Sequence, residues 1–146
     1  MAAIVNAIGS STSCDNNTGY WKNTAIFITW DDWGGWYDHE PPTILPGIQG
    51  DYQYGFRVPF LVVSAYTAAG LIDNTRRDFG SVLRFIEHNF GLAPGALNFA
   101  DARATDDLHA FFKLGAAPRA FQPIPAAKTA SFFLTDQRPA TDPDND

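Results

Sequence analysis

The sequence predicts an α/β fold on three observations. Two runs, residues 24–30 and 57–64, are nearly continuous in apolar and β-branched residues, the pattern of strands buried on both faces inside an α/β sheet. Phe79, Val82, Leu83, Ile86 and Phe90 recur at helical spacing. Between these stretches lie long segments in which Gly and Pro interrupt any regular period.

Taken in order, Ile4, Val5 and Ile8 mark one face of a helix over residues 2–8 that stops at Gly9, and it reads as the last two turns of an amphipathic helix. Isolated helices shorter than about 12 residues are marginal in water, so a cut through a larger domain is the expectation here. Residues 10–20, with Ser, Thr, Asn and Gly, read as a loop that holds the single cysteine, Cys14, which has no partner for an internal disulfide. The first strand run follows. Residues 38–56 contain Pro41, Pro42, Pro46, Gly47, Gly50 and Gly55, which excludes helix and predicts a long ordered loop of the kind that is usually functional. Pro59 is tolerable near the start of the second strand, and a turn at Ala69-Gly70 closes that region. The helix over 79–90 has Asp78 as its N-cap and Gly91 just past its C-terminus. Beyond it, apolar clusters at Phe99, 108–114 and 131–134 predict a wrapping, mostly irregular tail with one or two short strands. Residues 1–138 read as one domain and 139–146 as an acidic, disordered end.

A chain of 146 residues is long enough for one domain that buries roughly 68 to 70% of its unfolded surface. Its net charge of −6 and scattered Lys and Arg argue against nucleic acid, because neutralising phosphates takes clustered cations. An acidic balance suits a bound cation better. No window is long and apolar enough for a membrane span, and residues 1–8 lack the charged start of a signal peptide, so localisation is left open. An incomplete sheet would expose edges and apolar faces, which makes self-association a live expectation.

The chemistry concentrates in residues 30–39. Asp31 and Asp32 are adjacent carboxylates at the end of an apolar run, near three indoles, Trp30, Trp33 and Trp36. Two neighbouring carboxylates repel, so a fold that keeps both ionised supplies water or a cation, and neither Lys22 nor Arg57 is adjacent in sequence. Consecutive side chains of a strand point to opposite faces; for both to reach one ion the strand must have ended, and Gly34-Gly35 provides that break. Carboxylates suit Ca²⁺, Mg²⁺ or Mn²⁺, whereas Zn²⁺ more often recruits His or Cys, of which His39 alone is near. A solvated acidic turn is the competing reading.

Residues 21–39, 55–64 and 81–92, with the ending at 108–123, resemble the bacterial phosphoesterase family of phospholipases C and acid phosphatases. The resemblance implies an alkaline-phosphatase-like α/β fold in which a hydroxyl nucleophile attacks phosphorus beside a divalent metal ion. Asp31 and Asp32 match the family's paired acidic ligands. The remaining ligands and the nucleophilic Ser or Thr belong to motifs this sequence does not contain, so it looks like the C-terminal portion of a longer phosphoesterase. A phosphate ester or phospholipid is the implied substrate once the missing part completes the site, and family members are often secreted or periplasmic. The alternative is a non-catalytic cation-binding or interaction module derived from that fold.

Other residues divide between chemistry and structure. His39, following Asp38, is the candidate catalytic residue, as a phosphate contact or a group oriented by Asp38; a structural role is the alternative. His88 and His109 read as structural or exposed. Arg57 clamps an anion or pairs with Asp51, Arg76 and Arg77 form a solvated face, and the three indoles pack. Ser64, at a strand end, lacks a visible base.

Overall fold

The computed structural model describes residues 1–13, 18–48 and 50–139. The readings of Cys14 and of the acidic end beyond Pro139 lie outside them. The strands are β1 (Ala25–Thr29), β2 (Ile44–Leu45), β3 (Tyr52–Gln53) and β4 (Phe60–Ser64); the α-helices are α1 (Ala2–Gly9), α2 (Gly80–Phe90), α3 (Phe99–Ala102) and α4 (Ala130–Thr135). Single 3₁₀ turns cover Trp21–Asn23 and His109–Phe111. The chain is mixed α/β, in two units, residues 25–119 and residues 1–24 with 120–146.

In the larger unit β1 pairs antiparallel with β4, Ala25 opposite Ser64 and Thr29 opposite Phe60. This corrects the sheet-interior reading. Each strand has one hydrogen-bonded neighbour among the described residues and is half-buried, so the continuous apolar runs are covered on part of their surface only. What covers them is aromatic: Phe27 stacks on Phe60 at 5.8 Å and meets Phe85 of α2 edge-on at 5.0 Å, and Phe85 stacks on Phe112 at 5.1 Å. The expected long loop holds a small hairpin, β2 with β3, whose connection turns at Gly47 and Gly50, both at positive φ.

α2 stops as its end residue dictates, but its N-cap is Phe79 and not the expected Asp78, and Phe79 makes no side-chain capping bond. The Asp78 carboxylate accepts the Gly80 N–H at 3.1 Å. Gly91 lies in the left-handed region, and the N–H groups of Leu92 and Gly91 bond to the carbonyls of Glu87 and His88, a Schellman stop. The expected buried face is rotated, however. Ser81 and Glu87 are buried, while Ile86 is half exposed and Phe90 is 77% exposed. The reason is α3: a Cβ on Gly80 would meet the Ala100 carbonyl oxygen at 2.7 Å, so the helices touch along the Gly80–Ser81 side. Glu87 is tolerated there because its carboxylate accepts the N–H groups of Gly95 and Ala96. Hydrogen bonding to the equally buried Asp101, with burial acting in the same direction, raises the Glu87 pKa, while the same bond lowers that of Asp101.

The strands expected after Gly91 are absent among the described residues; a lone bridge between Thr67 and Phe112 stands in their place, and the apolar clusters form short helices. Leu108, 1% exposed, anchors this part with φ of 63°, a conformation few leucines adopt.

In the smaller unit α1 buries Val5, and the Asn6 side chain bonds both backbone groups of Ile124, at 3.0 and 2.8 Å. Trp21 meets Phe121 edge-on at 4.9 Å, and Phe121 lies where a Cβ on Gly9 would stand. α4 is capped by Thr129, whose hydroxyl accepts the Phe132 N–H. No helix among the described residues is long and apolar enough to cross a membrane.

Candidate functional site

β1 ends at Thr29, and the chain then bends through Asp31 and Asp32 into the glycine pair, Gly34 at φ 64° and Gly35 at φ 79°. These angles are cheap only for glycine, so the pair turns the backbone over the strand end as its composition requires. Asp32 accepts the Gly34 N–H, which fixes one carboxylate oxygen on the turn. Asp31 makes no hydrogen bond or ion pair among the described residues, and both acidic residues are exposed.

The indoles around the pair are half exposed, at 47% for Trp30, 42% for Trp33 and 57% for Trp36. Trp33 is the best packed: its ring meets Phe56 edge-on at 5.5 Å and lies over Gly55, where a Cβ would stand 3.0 Å from it. Tyr37 leans on the same Phe56 ring.

Asp31, Asp32 and Trp33 line a groove of about 1210 Å³ that runs past Arg57 to Arg76, Arg77 and Arg103. Every one of these guanidiniums is already paired. Arg57 grips Asp38 with both arms, at 2.6 and 2.9 Å, and not Asp51, whose carboxylate instead accepts the Gly47 N–H. That grip, more than the Glu40 N–H or the nearby His39, holds Asp38 well below the usual carboxylate range against the opposing effect of burial. Arg76 bonds Glu40 and Thr43, and Arg77 is largely buried between Asp73 and Asp106 with its guanidinium over the Phe111 ring. The solvated-face reading is corrected for Arg77, which Asp73 and Asp106 enclose, while Arg76 stays exposed, at 57%, and pairs with Glu40. Tyr54, in the groove wall, is pushed up to about 12 by burial first and then by the Asp78 carboxylate.

His39 does not line the groove. Its side chain is 85% exposed, and Nδ1 faces Asp38 at 3.4 Å. Ser64 is buried, its hydroxyl accepts the Tyr66 N–H, and its carbonyl accepts Arg119, so it is a structural corner and no poised nucleophile.

Sequence reasoning missed one constellation. His88, on the last turn of α2, and His109, on the 3₁₀ turn, stack at 3.9 Å between ring centroids and direct their Nδ1 atoms at one oxygen of Asp107, at 2.8 and 3.2 Å. Burial alone would raise the Asp107 carboxyl, yet the His109 N–H and the His88 ring bring it below its ordinary value. The available signal was Asp107-Leu108-His109, in which alternate residues carry ligand atoms; nothing in the spacing of 21 residues tied His88 to it.

A model of the phosphoesterase family matches residues 6–93. Phospholipase C B of Mycobacterium tuberculosis (strain ATCC 25618 / H37Rv) is 31% identical over 142 residues, covering 83% of this chain and 26% of the relative. Phospholipase C A of the same strain is 28% identical over 129 residues, covering 74% and 25%. Non-hemolytic phospholipase C of Burkholderia pseudomallei (strain K96243) is 33% identical over 97 residues, covering 51% and 14%. The chain thus spans about a quarter of the length of the two mycobacterial relatives.

Proposed function

As this chain belongs to the phosphoesterase family, we propose that it supplies the Asp31–Asp32 side of a metal-dependent centre that hydrolyses phosphoric esters, with β1 and β4 as part of a larger alkaline-phosphatase-like sheet. The observation that carries the reading is the position of the pair. Both carboxylates stand at a strand end on a turn only glycines make cheaply, in a groove large enough for a phosphate ester.

The donor set fits a hard divalent cation on one side. Asp31 offers both oxygens and Asp32 one, while no third His, Cys, Asp or Glu joins them among the described residues. Two carboxylates are too few for a complete shell, so the other ligands come from outside those residues. When bound, such an ion stabilises charge on a phosphoryl oxygen and lowers the pKa of an attacking group. The residues of this chain do the rest by position. Asp32 holds the turn through Gly34, and Arg57 and Asp38 fix the loop that follows the pair. Phe56, Trp33 and Tyr37 present an aromatic wall suited to the apolar part of a phospholipid, the substrate class that the relatives' names suggest. His39, with Nδ1 3.4 Å from Asp38 but outside the groove, is the candidate proton carrier only if the site extends to it.

Binding of Ca²⁺, Mg²⁺ and Mn²⁺, and hydrolysis of p-nitrophenyl phosphate and phosphatidylcholine with and without each ion, test this reading. Asp31→Asn and Asp32→Asn should each weaken binding of the ion and lower any ion-dependent turnover. Binding and turnover untouched by both substitutions would refute the assignment. Ion binding that depends on the pair, with no hydrolysis of either ester, would favour the non-catalytic module.

A further inference from the structure

We propose that His88, Asp107 and His109 form a second metal site, for a divalent transition ion of the zinc class. One ligand atom from each lies within 4.8 Å of the others. The two imidazole Nδ1 atoms stand 2.8 and 3.2 Å from the same Asp107 oxygen. Around an ion with tetrahedral bonds of about 2.0 to 2.2 Å, ligand atoms sit about 3.3 to 3.6 Å apart, so the two imidazole–carboxylate separations need to widen by less than about 1 Å to admit zinc. A purely structural reading has two ring N–H groups donating to one carboxylate oxygen. It accounts poorly for His109, whose Nδ1 is buried and makes no hydrogen bond, its approach to Asp107 lacking the alignment one needs. An ion between the three ligands gives that nitrogen a partner.

The donor chemistry selects the ion. Two imidazoles and one carboxylate suit zinc, nickel or copper, whereas calcium and magnesium call for six or more oxygens. The site is held from both sides of the chain. His109 packs against Phe85 at 5.3 Å, and Leu108, in its left-handed conformation, places Asp107 and His109 on the same side of the turn, facing the end of α2. His88 is 60% exposed, so a fourth position opens to water and to a hollow of about 530 Å³. Arg84 lines that hollow and its charge opposes the ion, while Glu87 and Asp106 line it too; with three protein ligands and an open fourth position, the expected affinity is micromolar. None of the three ligands lines the groove that holds Asp31 and Asp32.

The test is a titration of the untagged full chain with zinc against a chromophoric chelator, read together with long-range ¹H–¹⁵N spectra of the histidines. Micromolar binding of zinc is expected, with the Nδ1 resonances of His88 and His109 shifted and those of His39 unmoved. Loss of an outer-shell partner alone costs zinc sites about 10- to 100-fold, so His88→Ala, at an exposed position, should cost at least about tenfold, and Asp107→Asn likewise. The Asp31→Asn, Asp32→Asn double variant should titrate as the parent does. Binding unchanged in His88→Ala, binding lost in the double variant, or no binding in the micromolar range would each overturn the proposal.

Discussion

Leu108 is the residue at which side-chain burial and backbone strain oppose each other, and substituting it separates them. It is 1% exposed and has φ of 63° and ψ of 1°. Removing a buried leucine side chain to alanine costs about 2 to 5 kcal/mol. The left-handed conformation costs a residue with a Cβ about 1 to 2 kcal/mol, and alanine pays it as leucine does. Glycine does not. Leu108→Ala should therefore destabilise the chain by about 3 kcal/mol, and Leu108→Gly should do so by about 1 kcal/mol less, reversing the usual order in which glycine is the worse choice by about 0.5 to 1 kcal/mol. Urea unfolding followed by the fluorescence of the four tryptophans measures both, compared at equal slope so that a midpoint shift reports stability. A glycine variant less stable than the alanine variant by the ordinary gap of about 0.5 to 1 kcal/mol would show that the turn carries no strain. An alanine variant within about 0.5 kcal/mol of the parent would show that Leu108 is not the anchor its burial implies.

The Arg57–Asp38 pair predicts an acid limb. Because Arg57 depresses the Asp38 carboxyl, the pair's contribution is complete above the ordinary carboxylate value of about 4 and is lost as the pH falls through the lowered one. Arg57→Met should move the Asp38 midpoint upward in a carboxyl ¹³C titration and start acid unfolding at higher pH; an unmoved midpoint would mean that another group holds Asp38. At the two ends of α2, Gly91→Ala meets open space and should cost about 1 kcal/mol for its left-handed φ alone. Gly80→Ala drives a Cβ to 2.7 Å from the Ala100 carbonyl and should cost about 1 to 3 kcal/mol by separating α2 from α3, and a cost well under about 1 kcal/mol in urea unfolding would contradict that packing.

Some features were legible in the sequence because they depend on neighbours along the chain. Apolar runs of the right length became β1 and β4, Gly91 ended α2, and the double glycine turned the chain after Asp31 and Asp32. Local residue chemistry is enough for these, since caps and turns are satisfied within a few residues. The family was legible too, through the motif around the acidic pair.

Pairing across distance was decided by the tertiary structure. The hydrophobic period of α2 pointed to Ile86 and Phe90, yet contact with α3 rotated the buried face to Ser81 and Glu87. Arg57 took Asp38 and not Asp51, and Arg77 took Asp73 and Asp106, because a guanidinium pairs with whichever carboxylate the fold brings to it. His88 and His109 met over Asp107 for the same reason. Charge and periodicity tell which groups need partners; only packing in three dimensions supplies the partner, since burial and electrostatic energy depend on distance through space and not along the chain.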